Sequence, residues 1–297
     1  MRAVLPIVAA VSLTGCLAHF TGPMPGEPSG ATYTEVAGAR VRYVDVGRGP
    51  PVVLIHGFAS SLETWTGVIP VLAKSHRVIA LDLKGFGWSD RPEGDYSPAA
   101  EADLVWALLD RLGVGRAALV GHSWGASVVL AMALAHPERT TRIALYDAWV
   151  YADQLPTFFY LARAPVLGEA MFALWYDERP DDKLEHAFYD KDHIPQALVD
   201  AVEKALDRPG TRYAALAAVR GQRFEDVEAR YRTITKPTLL LWGREDEVAR
   251  LSEGERLSRE LPNSRLIVYP RCGHFPMIEA AAASTRDLAS FLAEGTP

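Results

Sequence analysis

Six short, almost purely apolar runs recur along the chain: PVVLI (Pro51 to Ile55), RVIALDL (Arg77 to Leu83), RAALVG (Arg116 to Gly121), RIALYD (Arg142 to Asp147), PTLLLWG (Pro237 to Gly243) and RLIVYP (Arg265 to Pro270). Unbroken apolar runs of this length, bounded by turn residues, suit strands covered on both faces. Segments with helical spacing lie between them: Ala100 to Leu112, Ala126 to His136 ahead of Pro137, Ser252 to Leu261 and Ala280 to Ala293. Strand alternating with helix leaves few architectures, because parallel neighbours need a crossover and a helix is the usual one. The sequence therefore predicts an α/β fold with a mostly parallel twisted sheet flanked by helices. An antiparallel hairpin over Tyr33 to Val46, turning at Ala37-Gly38, precedes it.

One stretch breaks the rhythm. From Trp149 to about Arg232 the text is helical, aromatic and proline-broken, with no strand-like run. A parallel sheet does not need so long a path to its next strand. Residues 149–232 are thus expected to form a helical cap inserted after the sixth strand, dividing the core into 31–148 and 233–297. The cap aromatics Trp149, Tyr151, Phe158, Phe159, Tyr160, Phe172, Trp175 and Tyr176 serve either as its own core or as an apolar face toward a substrate.

The first sixteen residues, MRAVLPIVAAVSLTGC, carry one base, an apolar run from Ala3 to Leu13 and then small residues. That run is too short to span a bilayer and has the shape of a secretory signal. Leu13-Thr14-Gly15-Cys16 resembles the lipobox of bacterial lipoproteins, which implies a lipid on Cys16 and an anchor in the cell envelope. The residue after Cys16 is Leu17 and not aspartate, which by the same resemblance favours the periplasmic face of the outer membrane. Residues 17–30, rich in Gly and Pro, read as a flexible tether. With Cys272 the second of two cysteines, the fold is expected to stand without a disulfide.

A formal net charge of -6 and the absence of any dense Lys/Arg stripe argue against a nucleic-acid surface. No H-E-x-x-H or Cys/His cluster suggests a metal, and no cofactor is implied.

Chemistry enters at LVGHSWGASVVL, where a strand-like run breaks into Gly121-His122-Ser123-Trp124-Gly125 and resumes with helical spacing. The pattern G-x-S-x-G between strand and helix is the setting of a nucleophile elbow, a turn so tight that side chains flanking the serine at 121 and 125 would collide. Such a turn holds Ser123 Oγ clear of the sheet at a helix N-terminus, where free amides favour developing negative charge. A serine needs a base, and the base an orienting carboxylate. In a parallel sheet the carboxyl ends of the strands share one edge, so loops distant in sequence converge there. Asp246 follows the run PTLLLWG and His274 follows RLIVYP, giving nucleophile, acid and histidine in chain order. Asp147, at the end of RIALYD, is the other candidate acid. The loop after PVVLI reaches the same edge, so the Phe58 and Trp124 amides can form an oxyanion hole.

The stretches VVLIHGFASSLETW, DLKGFGWSDRP, LVGHSWGASVVLAMALAHPE, PTLLLWGREDEV and RCGHFPMIE together resemble serine hydrolases of the α/β-hydrolase superfamily. The resemblance covers nearly all of residues 31–297 and implies Ser123, Asp246 and His274 as a triad. Relatives with aspartate at the elbow, the haloalkane dehalogenases and epoxide hydrolases, are disfavoured by Ser123. The expected activity is hydrolysis of a small apolar carboxylic ester through an acyl-enzyme. The resemblance also admits a C–C bond hydrolase, a cofactor-free haloperoxidase, an iminopeptidase using cap carboxylates such as Asp177, Glu178, Asp181 or Asp182, and a ligand-binding homologue of low turnover.

Overall fold

The computed structural model describes residues 17–176 and 180–294. The expected signal segment 1–16 with its Cys16, and Asp177 and Glu178, lie outside the described residues. Eight strands form one sheet: β1 (Thr32–Val36), β2 (Ala39–Gly47), β3 (Pro51–Ile55), β4 (Arg77–Leu81), β5 (Ala117–His122), β6 (Thr140–Tyr146), β7 (Thr238–Gly243) and β8 (Ser264–Tyr269). Their spatial order is β1-β2-β4-β3-β5-β6-β7-β8. β2 runs antiparallel to both β1 and β4, and every pairing from β4 through β8 is parallel.

The apolar runs are continuous because the sheet is covered on both sides. Val53, Ile55, Ile79, Leu81, Leu119 and Leu240 enter one core, whereas Val52, Leu54, Val78, Ala80, Val120 and Leu241 enter the other. That is the two-residue period of a strand expressed across a fully buried sheet. The helices are α1 (Ile69–Leu72), α2 (Pro98–Arg111) and α3 (Trp124–Ala135) before β6, and α9 (Leu251–Glu260), α10 (Pro276–Glu279) and α11 (Ala281–Ala293) after β7. α2 starts where it does because Ser97 Oγ accepts the Ala100 N–H at 3.2 Å and Pro98 occupies the first turn.

Between β6 and β7 the described chain carries only helices and turns: α4 (Thr157–Ala162), α5 (Leu167–Leu174), α6 (Pro180–Ala187), α7 (Gln196–Leu206) and α8 (Thr211–Gly221), with short 3-10 turns. α8 faces two ways. Its Ala214 and Ala218 join the main core, while Ala215, Leu216 and Val219 pack with Ala162, Met171, Phe172 and Tyr176 in a separate cap cluster.

Residues 17–30 depart from the expected flexible tether. Phe20 and Arg91 exchange main-chain hydrogen bonds of 2.8 and 2.7 Å, Gly22 N–H donates to Asp90 Oδ1 and Met24 is buried. Leu17 packs against the cap cluster. Composition carried no trace of these partners, which lie about seventy residues away in the chain.

Candidate active site

Ser123 sits at φ 53°, ψ −124°, between the last residue of β5 and the first of α3. A serine in this region is strained, and the strain is held by its surroundings. Its amide donates to Tyr146 O at 2.9 Å and its carbonyl accepts from Ala126 and Trp149. A Cβ on Gly121 would lie 2.6 Å from Gly125 O, the collision anticipated within the elbow. At Gly125 the obstruction is different: a Cβ there would meet His56 O at 2.3 Å and Ile55 O at 2.6 Å. The second glycine lets α3 settle against the end of β3, a contact between elements that the local sequence does not display.

His274 follows β8 and Asp246 follows β7. The structure brings His274 Nδ1 to 2.7 Å from Asp246 Oδ2, with both side chains buried. The other oxygen, Asp246 Oδ1, accepts the Val248 and Ala249 N–H groups at 2.7 and 2.9 Å, so the carboxylate is fixed on both sides. Asp147 is spent differently: its Oδ1 accepts the Gly243 N–H at 2.9 Å. Burial, reinforced by the neighbouring Asp246 carboxylate, pushes the Asp147 carboxyl well above the usual range, which favours its neutral form.

Two other histidines approach the serine. His56 Nε2 accepts the Leu83 N–H at 3.0 Å and its Nδ1 lies 2.7 Å from Gly57 O, so the ring pins the β3 loop to the end of β4. His122 Nε2 lies 2.8 Å from the His274 carbonyl oxygen. Burial lowers the basicity of both rings. His122, Asp147 and His274 form a group whose donor atoms fall within 4.8 Å of one another. Two nitrogens in it are engaged, His122 Nε2 with a carbonyl and His274 Nδ1 with Asp246, while His122 Nδ1 and Asp147 Oδ2 have no hydrogen-bond partner among the described residues.

Phe58 and Trp124 line the same cavity as Ser123. Trp124 opens α3, and a helix leaves its first amides without internal acceptors. The loop carrying Phe58 turns through Ala59 at φ 51° and comes so near Ser123 that a Cβ on Gly57 would lie 3.0 Å from Ser123 Cβ.

Ser123, His274, Phe58 and Trp124 line one cavity of about 180 Å³, closed on the cap side by Trp149, Phe159, Leu184, Leu198 and Val202. The cap aromatics thus divide. Trp149 and Phe159 face the cavity, Tyr151 and Phe172 are core, and Tyr160 and Trp175 are exposed. Cys272 is a free, fully buried thiol whose proton is held more tightly by that burial, and it does not line the cavity.

Three residues that position the site escaped the motif reading. Glu279 accepts the Gly273 and Phe275 N–H groups at 3.0 and 3.3 Å, bracing the main chain on both sides of His274. Glu245 Oε2 accepts the Cys272 N–H at 3.0 Å, tying the histidine loop to the aspartate loop. Gln222 lines the cavity and accepts the Trp149 Nε1 hydrogen at 3.1 Å. Both glutamates stand inside the quoted motifs, so a signal existed for them; Gln222 stands in none.

The family model for the alpha/beta hydrolase fold matches residues 50–281. A 2-hydroxymuconate semialdehyde hydrolase of a Pseudomonas sp. (strain CF600) is 33% identical over 272 residues, covering 87% of this chain and 92% of that protein. Among solved structures, a meta-cleavage product hydrolase from Pseudomonas fluorescens IP01 superposes with a TM-score of 0.76 at 28% identity, covering 89% of this chain and 98% of that one. A thermophilic esterase from Thermogutta terrifontis gives a TM-score of 0.77 at 25% identity, with the same coverage of 89% and 98%.

Proposed function

The chain belongs to the alpha/beta hydrolase fold family, and on that premise we propose that it is a serine hydrolase cleaving small, uncharged carboxylic esters through an acyl-enzyme. The observation that carries this reading is the 2.7 Å His274–Asp246 contact beside a serine held in an elbow, with nucleophile and base lining one small cavity. Ser123 Oγ attacks the ester carbonyl as His274 Nε2 accepts its proton. Asp246 keeps Nδ1 protonated, orients the ring and compensates the imidazolium. The Phe58 and Trp124 amides receive the oxyanion, each donor contributing about 3–4 kcal/mol. His274 then returns the proton to the departing alcohol, and water repeats the sequence to free the acid.

The cavity supports an uncharged acyl group. Among the described residues that line it there is no Lys or Arg, and they are mainly aromatic and aliphatic. A dienoate, the substrate type in the name of a Pseudomonas putida relative that is 33% identical over 263 residues, carries a carboxylate that such a wall does not neutralise. That relative and the semialdehyde hydrolase nevertheless favour a second reading, hydrolysis of a C–C bond beside a ketone by the same serine and histidine.

A side-by-side assay decides. The purified protein is expected to turn over p-nitrophenyl butyrate with a kcat/KM at least tenfold above that for 2-hydroxy-6-oxo-2,4-heptadienoate; the reverse order replaces the ester reading with the C–C reading. A fluorophosphonate should label the protein covalently and fail to label Ser123→Ala; labelling that survives the substitution moves the nucleophile elsewhere. We further propose, from LTGC alone, that Cys16 is acylated and the chain exported; labelled palmitate should be incorporated and be lost in Cys16→Ser.

A further inference from the structure

The cap exposes a run of large, mostly apolar side chains. α4 and α5 form a short helical hairpin, and on it Tyr160, Leu161, Val166, Leu167, Leu174 and Trp175 are 43 to 77% exposed. Leu167 and Leu174 are seven residues apart and share one face of α5. From Thr157 to Trp175 the only charged residues are Arg163 and Glu169, and each is paired, with Glu225 at 3.1 Å and Arg220 at 2.8 Å. An apolar surface of this kind, with its charges neutralised, marks a place of contact rather than ordinary scatter.

Val166 sharpens the point. It is the most exposed of the six, at 77%, and its φ is 67°, a region where a β-branched residue is strained. Glycine would suit the backbone better, and a polar residue the water. A residue unfavourable on both counts indicates a demand that folding does not make.

The path of the chain supplies the occupant. Leu17 packs on the cap cluster formed by α4, α5 and α8, and lines the same groove as Pro165 and Val166, a cavity of about 1220 Å³ between cap and core. Residue 16 is one peptide step from that position, and the residues ahead of it include the apolar run Ala3 to Leu13. Trp175 and Tyr160 flank the patch, the two residue types that settle at the headgroup level of a bilayer. We propose that the α4–α5 hairpin is a membrane-docking surface, lying on a phospholipid bilayer beside Leu17, the first described residue. No helix among the described residues is long and apolar enough to cross a membrane, so the contact is one of lying on and not spanning. The proposal is independent of which bond the enzyme cleaves.

The test uses the full chain reconstituted with phosphatidylcholine–phosphatidylglycerol vesicles containing lipids brominated on the acyl chain. Bromolipid should quench the wild-type tryptophan emission, and the quenched component should disappear in Trp175→Phe. In a Cys16→Ser background, Val166→Asp and Leu174→Asp should each lower vesicle partitioning at least tenfold. Circular dichroism should show an unchanged fold and an unchanged Tm for both variants. Three results overturn the proposal: Trp175 emission indifferent to bromolipid in vesicle-bound protein, partitioning unaffected by both aspartates, or a dimer in solution that shields Trp175 from aqueous acrylamide before lipid is added.

Discussion

At the residue scale the two buried aspartates beside His274 divide the labour that sequence alone left open between them. Asp246 meets the imidazole, while Asp147 accepts a backbone amide and burial pushes its carboxyl well above the usual range. Asp246→Asn should therefore lower kcat/KM by about 10³–10⁴-fold, as expected when the orienting carboxylate of a serine–histidine pair is lost. Asp147→Asn, which keeps the acceptor for Gly243, should lower it by less than about tenfold; steady-state kinetics on the two variants separates the roles. The resemblance pointed to Asp246, but spacing alone did not decide between them, because both aspartates follow strands on the same edge. What distinguishes them is the direction of a side chain, which neither spacing nor residue type encodes.

At the scale of elements, the loops after β3, β5, β7 and β8 are locked to each other through their main chains. Gly125 presses α3 on the β3 carbonyls, and Gly243 lies so close to the histidine loop that a Cβ would fall 1.9 Å from Gly273 O. The cap joins in, since His274 N–H donates to Ala187 O at 2.6 Å and a Cβ on Gly273 would lie 2.4 Å from that same oxygen. Gly125→Ala should destabilise the fold by about 1–3 kcal/mol, as overpacked sites do, measured by urea denaturation. Gly273→Ala should instead act on the end of α6, raising KM and speeding amide exchange near Ala187 with a smaller loss of global stability. Strands, parallel order and elbow were legible because burial on both faces writes a continuous apolar run. The held N-terminal segment was not, because its partners lie far away in sequence and its Gly and Pro residues signal only turns.

Across the whole molecule, stability is distributed in two tiers. α8 shares the main core through Ala214 and Ala218, whereas α4 and α5 rest on the smaller cluster around Phe172. Hydrogen exchange should show α4 and α5 opening at lower free energy than α8 or the central strands. A global pH dependence should come from Glu101, whose carboxyl is fully buried, with the Lys84 ammonium 3.9 Å away; burial pushes its pKa up to about 8 despite that cation. The native state then holds a proton that the unfolded chain releases above its ordinary carboxylate range near 4.5, so stability falls as pH rises from about 5 through 8. Glu101→Gln should flatten that slope in thermal melts and raise Tm at pH 8.5 relative to the wild type. Finally, the chain order has a bearing on synthesis. On the proposed mechanism Ser123 emerges well before His274, and the cap is made in the interval, so a product released early carries an elbow serine with nothing to take its proton. On that mechanism only a polypeptide extended past His274 can hydrolyse, and shorter copies are inert.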